Sequence, residues 1–405
     1  MLWQEHFLNQ AVENPVYSMK KNFDYIIAGS GLAGLSLLYH LLRDDKLKNK
    51  NILIIDPVKK KDNDRTWCFW EKEQGPFEHL VYHQWKTLQF YSHDVSREFE
   101  MQKYRYKMIQ SGDFYTHVLN MAAQFENVIF SNEKILEITD NGQTAEVKTD
   151  SGVYTSAYVF NSTGLFHPHM DEKNTLLQHF MGWYIKTPSP VFDSNVGTLM
   201  DFRLNQQHGA TFMYVLPTSS TEALVEYTLF SEKTLKEDEY IRELEKYIQN
   251  ELKINDYEIT HREFGVIPMS MARFRRYLGA NNRIINIGTA GGFTKPSSGY
   301  TFQFVQKHLL QVAERLKNGQ SPAIKPSLRE RMFYWYDMTL LEVLLSGKLT
   351  GEQIFSSLFG KVDPERILAF LANESNFWEE FKIRNSVPVI PFMMAGMKQL
   401  VIPRK

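Results

Sequence analysis

Residues 23–28 (FDYIIA) form a short apolar run that stops at GSGLAG, and LSLLYHLLRD after it carries apolar positions at helical spacing. Strand, tight turn and helix are predicted in succession. After a lysine-rich loop at 46–51, NILIIDP is a second apolar run of strand length that closes on Asp56 and is stopped by Pro57. A first βαβ unit is therefore complete by residue 56. Beyond a mixed, aromatic-rich stretch at 59–110, GDFYTHVLNMAAQF has helical periodicity, NVIFSNEKILEI reads as strands, and VYTSAYVFNSTG ends in a polar, glycine-containing turn. From about 175 to 268 the pattern changes to strand-length runs separated by polar turns (WYIKT, GTLMDFRL, TFMYVLP, ALVEYTLF), as in an antiparallel sheet. RIINIG at 283–288 returns to a buried-strand pattern, and the glycine-rich segment after it leads into a long amphipathic helix. Residues from about 328 onward read as helical.

This patterning divides the chain into a tail at 1–19, a nucleotide domain at 20–172, an antiparallel-sheet domain at 173–270, a return to the nucleotide domain at 271–325, and a helical region at 326–405. Residues 1–18 read as an upstream start or a loose tail, because Met19 opens the more convincing sequence. A chain of 405 residues has enough interior for a full core and a large ligand. Its 46 Lys and Arg nearly cancel 47 Asp and Glu, which argues against a nucleic-acid partner. Cys68 is the single cysteine, so a disulfide framework and a cysteine-built metal site are excluded, and the cytoplasm is the expected compartment. No apolar run reaches the roughly 20 residues that cross a bilayer, and the first residues lack the form of a signal peptide. The 28 Phe, 20 Tyr and 7 Trp suit either an elongated apolar ligand or a large core.

Gly29-Ser30-Gly31-Leu32-Ala33-Gly34 lies between a strand and a helix. Gly29 permits the turn, Gly31 lets backbone approach a pyrophosphate, and Gly34 lets the helix pack close to the strand. The helix N-terminus adds free N–H groups and partial positive charge for phosphates. Asp56, at the end of the next strand, is placed to accept hydrogen bonds from ribose hydroxyls. The early position of this motif, the interrupting antiparallel domain and the late strand-plus-glycine segment favour FAD over NAD. The arrangement resembles the aromatic-hydroxylase-like flavoproteins, with Gly288-Thr289 where that group usually has Gly-Asp. The implied fold class is α/β: a Rossmann-like FAD-binding domain with an inserted antiparallel β-sheet substrate domain and a helical C-terminal region.

Four further stretches, RTWCFWE (65–71), TLMDFR (198–203), LVEYT (224–228) and IGTAGGFTKPSSGYTF (287–302), narrow the resemblance to the FAD-dependent lycopene cyclases. With GSGLAG they span most of residues 20–305. The resemblance implies that Arg65, Gly164, Gly288, Gly291, Gly292 and Ser297 join the 29–34 turn and Asp56 around FAD. It also implies that the flavin is active in reduced form, with NADPH as electron source. Glu226 of LVEYT is the implied acid or base beside the substrate, and Tyr227 stands where some members carry a second acid. By alternation Glu226 shares a face with Leu224, Thr228 and Phe230, an environment that keeps a carboxyl protonated and able to donate. Asp201 is either the assisting acid or the partner of Arg203 in an ordinary ion pair. Trp67, Phe69 and Trp70, with Phe180, Trp183, Tyr227 and Phe293, either line a hydrocarbon tunnel or pack a domain interface.

The implied reaction is redox-neutral: a proton is delivered to the terminal double bond of a linear carotene, the cation closes a ring, and a neighbouring proton leaves. For lycopene this gives β rings, and β-carotene by way of γ-carotene. A membrane-dissolved substrate calls for contact with lipid, and VPVIPFMMAGMKQLVIP, tipped by Lys398, Arg404 and Lys405, suits an interfacial segment or a buried one. No metal is expected: His79, His83, His167, His169 and His179 show no metal-ligand spacing. No G-x-S-x-G nucleophile elbow is present. The rival readings are a flavin monooxygenase or reductase acting on an aromatic or isoprenoid substrate, and a flavin-binding carotenoid carrier.

Overall fold

The structure, a computed structural model, describes residues 22–401. The expected tail at 1–19 lies outside the described residues, as do Arg404 and Lys405. The first strand, β1 (Asn22–Ala28), leads through the 29–31 turn into α1 (Leu32–Leu42) and then β2 (Ile52–Ile55). Five short strands follow: β3 (Thr66–Glu71), β4 (His83–Trp85), β5 (Thr87–Tyr91), β6 (Ser96–Glu100) and β7 (Arg105–Gln110). Next come α2 (Ser111–Ala122), β8 (Val128–Ser131), β9 (Ile135–Asp140), β10 (Ala145–Thr149) and β11 (Val153–Asn161).

β1 lies between β2 and β11, parallel to both, and β8 extends the parallel set beyond β2. Strands covered on both faces need apolar side chains at every position rather than alternate ones, and β2 and residues 25–28 of β1 have them. Helix α1 is buried almost all round, which explains its lack of a polar face.

The second sheet begins with β12 (Thr175–Lys186), β13 (Val196–Asp201), β14 (Ala210–Pro217) and β15 (Glu222–Ser231). After α3 (Glu237–Asn250), the long β16 (Glu258–Ser270) completes the insertion, and β17 (Tyr277–Leu278), β18 (Ile284–Asn286) and α4 (Phe302–Lys317) return to the first sheet, where β18 pairs parallel with β11. The second sheet has the order β16-β12-β15-β14-β13-β5-β6. β5 and β6, from the stretch assigned by pattern to the nucleotide domain, therefore belong to the insertion's sheet. Leu88 and Phe90 of β5 are buried in the same core as Phe202 and Phe359, and that burial draws the strand across.

The second sheet is covered on both faces. α3 packs Tyr240, Leu244 and Ile248 against Met181, Trp183, Val225 and Tyr227, while Leu224, Phe212 and Tyr214 face the other way. Beyond them lie α5 (Leu328–Leu345), α6 (Gly351–Lys361), α7 (Pro364–Leu371), α8 (Phe377–Ser386) and α9 (Val389–Val401). Their starts are written in the sequence: Ser327, Thr350 and Asn376 form capping boxes with Glu330, Gln353 and Glu379, and Asp363 caps α7 ahead of Pro364. Phe359 of α6 stacks on Phe90 at 4.4 Å between ring centroids, fixing the helical region to the sheet.

Candidate functional site

The turn after β1 has the geometry its glycines allow. Gly29 sits at φ +98°, a conformation L side chains avoid, and a Cβ there would lie 2.4 Å from the Ser162 hydroxyl. At Gly34 a Cβ would stand 2.0 Å from the Gly29 carbonyl, so helix and turn pack backbone to backbone. Gly31 differs from both, since an added Cβ would meet nothing within 4 Å and would occupy open space beside the N-terminus of α1. Gly29, Gly31, Leu32, Ala33, Asp56, Arg65, Gly164 and Gly288 all border one cavity of about 890 Å³.

Other positions expected around a cofactor are structural supports. Ser30 donates its N–H (2.7 Å) and hydroxyl (2.9 Å) to one carboxylate oxygen of Asp56, so that acid ties the turn to the end of β2 as well as facing the cavity. Gly291 packs against the Asn286 carbonyl, Gly292 is left-handed beside Phe274, and neither borders the cavity. Ser297 donates to Asp337 at 2.7 Å. Lys295 reaches the same carboxylate at 2.7 Å and Asn373 at 2.8 Å, so the loop after β18 is anchored to the C-terminal helices.

The cavity runs on to the second sheet, where Glu226 of β15 and Glu263 of β16 border it. These strands are not neighbours: β12 lies between them, and Gly182 is opposite Glu226 on one side and Glu263 on the other. Lacking a side chain, Gly182 leaves the gap in which the two carboxyls meet and hydrogen-bond. The Thr228 hydroxyl donates to Glu226 at 2.8 Å. Burial, and then the negative charge of Glu263, push the Glu226 carboxyl well above the usual range. Burial likewise raises Glu263, to about 7, against hydrogen bonds from Thr66 and the positive charge of Arg65. Three phenols stand nearby, with the Tyr300 hydroxyl 3.3 Å from that of Tyr106 and 3.5 Å from that of Tyr214. Burial raises all three, Tyr300 to about 12, so they are neutral. The Cys68 thiol is also pushed up, by burial and then by the carboxyls.

Asp201 does not reach the cavity. Its carboxylate accepts from Arg203 Nε at 3.0 Å, Arg203 Nη2 at 2.6 Å and the Tyr247 hydroxyl of α3 at 2.7 Å, which places it in the ion pair rather than beside the substrate space. Of the aromatic residues expected to line a tunnel, Trp67 and Phe180 border the cavity. Phe69 stacks on Phe302, and Trp70 donates its indole N–H to the Leu368 carbonyl while meeting Tyr300 edge-on. Trp183 and Tyr227 point to the α3 side, because each is one residue out of phase with Gly182 and Glu226. Phe293 lies between His308 and the Arg276 guanidinium.

The sequence reading did not include Glu263, Gly182 or the tyrosine cluster. A signal was present for two of them: Gly182 interrupts a run of bulky strand residues, and Glu263 alternates with Gly265 and Ile267. Among the described residues no group of three or more His, Cys, Asp or Glu is arranged to hold a metal ion. No described helix is long and apolar enough to cross a membrane.

The family model for lycopene cyclase protein matches residues 24–397, which takes in both the glycine turn and the two carboxyls. The chain belongs to the lycopene cyclase family. A lycopene beta-cyclase from Pseudescherichia vulneris is 22% identical over 383 residues, covering 91% of this chain and 95% of that protein. Among solved structures, a flavoprotein/dehydrogenase from Cytophaga hutchinsonii superposes with a TM-score of 0.61 at 16% identity, covering 94% of this chain and 99% of its own. A mutant of halogenase PltM in complex with FAD gives 0.56 at 13% identity, with 93% and 95% coverage. The lycopene cyclase family and the flavoprotein fold thus coincide on one chain whose cavity joins a dinucleotide-type turn to a pair of carboxyls.

Proposed function

We propose that this protein is a lycopene beta-cyclase that closes both ψ end groups of lycopene into β rings, through γ-carotene to β-carotene, with no net oxidation. The observation that carries this reading is the Glu226 carboxyl, set on a cavity that continues to the glycine turn and pushed by burial well above the usual carboxylate range. Protonating an alkene is difficult in water; burial keeps the proton on the carboxyl until the alkene is in place, and the low dielectric strengthens the attraction between the carboxylate left behind and the cation formed beside it.

The cavity fits FAD. The open space at Gly31, the positive φ of Gly29 and Gly288, and the free N–H groups at the start of α1 suit a pyrophosphate, with Asp56 on the ribose side. A bound reduced flavin, kept reduced by NADPH, would supply negative charge that favours a carbocation in this cavity. The chain's own residues do the rest. Glu226 holds the proton at its carboxyl, Trp67 and Phe180 line the space for the hydrocarbon, and the neutral phenols keep competing charge out of the site.

Access to a membrane-dissolved substrate is supported by α8 and α9. Val389, Ile390, Met393, Met394, Met397 and Leu400 recur at helical spacing along the exposed side of α9, and Phe377, Trp378 and Phe381 are exposed on α8. The other side of α9 docks on α5, where Trp335 donates to the Gly396 carbonyl at 3.1 Å. This face is read as resting on the lipid surface. Expression in cells that accumulate lycopene tests the assignment: cyclic carotene is expected, and linear pigment from folded, flavin-loaded protein overturns it.

A further inference from the structure

The cyclase reading leaves one step unassigned, the removal of a proton from the ring cation, and the carboxyl pair bears on it. We infer that Glu226 and Glu263 work as one proton-sharing unit: Glu226 gives the proton out and Glu263 takes one back. This rests on the cyclase reading above for its substrate, but the pairing stands on geometry of its own.

Three observations carry it. Gly182 is the residue through which the pair is possible, because an added Cβ would lie 3.1 Å from Glu263 Cγ, 3.3 Å from its Oε1 and 3.0 Å from a Leu224 methyl. Both carboxyls border the same cavity, so both can reach one substrate end group. Their surroundings are unequal. Glu263 receives hydrogen bonds from the Thr66 side chain and backbone and faces the Arg65 charge, all of which favour its anion. Glu226 receives the Thr228 hydroxyl and otherwise faces apolar groups, Tyr214, Tyr300, Cys68 and the negative Glu263. Tyr184 from β12 also faces Glu263, Tyr106 from β7 stands behind Tyr300 and Cys68, and burial raises both phenols.

The step balances without a co-reactant. The Glu226 carboxyl forms a C–H bond at the terminal alkene, and a second alkene closes the new C–C bond onto the resulting cation. Glu263 carboxylate removes a proton from the carbon next to the ring cation, leaving a C=C bond and a product isomeric with the substrate. The proton now on Glu263 returns to Glu226 across their hydrogen bond. Each ring closure thus ends with the pair carrying the single proton with which it began. Coupling of this kind makes the pair, rather than either residue, the titrating unit.

The test uses the full-length, FAD-loaded protein and the variants Glu263→Gln, Glu263→Asp and Gly182→Ala. The infrared carbonyl band of a protonated carboxyl, assigned by its loss in Glu226→Gln, reports the pair without turnover. Its alkaline midpoint should fall in Glu263→Gln, where the neighbouring negative charge is gone. In turnover, Glu263→Gln and Gly182→Ala should lower kcat by about 10²-fold with KM little changed, and Glu263→Asp should restore part of the rate. An unmoved midpoint, or a Glu263→Gln enzyme with wild-type kcat and pH profile, overturns the pair while leaving the cyclase assignment intact. Absence of cyclic product from the wild type removes the assignment, and the infrared midpoint still decides the pair.

Discussion

Glu226, Asp201 and Gly31 show how the same residue types divide into chemistry and support. Glu226 has lost water without gaining a cation, which pushes its carboxyl well above the usual range; Asp201 is buried in an ion pair with Arg203. Replacing Glu226 with Gln should therefore lower cyclisation by at least about 10²-fold while FAD content and folding remain, as measured by pigment analysis and flavin absorbance. Asp201→Asn should do the reverse. It leaves Arg203 and Tyr247 with a weakened acceptor, so stability should drop by about 1–3 kcal/mol in denaturant titration, while activity per flavin-loaded molecule changes little. Gly31→Val should keep the fold, because no protein atom is within 4 Å of the new Cβ, and should lose FAD in an absorbance titration.

At the scale of elements, the local patterns were legible and the pairings between distant strands were not. The β1-turn-α1-β2 unit, the buried strand RIINIG and Glu226 on an inward face could all be read from alternation and glycine placement. Glu263 could not be joined to Glu226, because sequence does not reveal that β12 is inserted between β15 and β16 or that its glycine falls level with both acids. The same limit misplaced Trp183 and Tyr227, which are the right residue types on the wrong side of their strands. It also hid β5 and β6 in the nucleotide domain, since a strand's sheet is decided by which core its apolar side chains enter. In the C-terminal segment α9 is docked along one side and exposed along the other, so burial accounts for one face and lipid contact is proposed for the other. Trp378→Glu combined with Met393→Glu should weaken liposome flotation at least tenfold, by roughly 1.5–3 kcal/mol of lost burial per side chain, without lowering Tm. Undiminished flotation would separate these helices from lipid contact.

Across the whole molecule, the two cavity acids couple stability to pH. Both are raised in the folded protein, so the native state keeps a proton that the unfolded chain releases above its ordinary carboxylate range. Their contribution is present below about pH 4.5 and is lost as pH rises through about 7 for Glu263 and higher for Glu226. Tm should fall as pH rises from about 4.5 to about 7 and beyond in the wild type and fall less in Glu226→Gln, read by calorimetry. The same retained proton is the centre of the functional account, and isotope transfer follows it most directly. Purified, flavin-reduced protein equilibrated in D₂O and held to a single turnover should place one deuterium in the first ring it closes, with no stoichiometric NADPH consumption. Cyclic product without deuterium, or an oxygenated product formed with matching loss of NADPH, would contradict it.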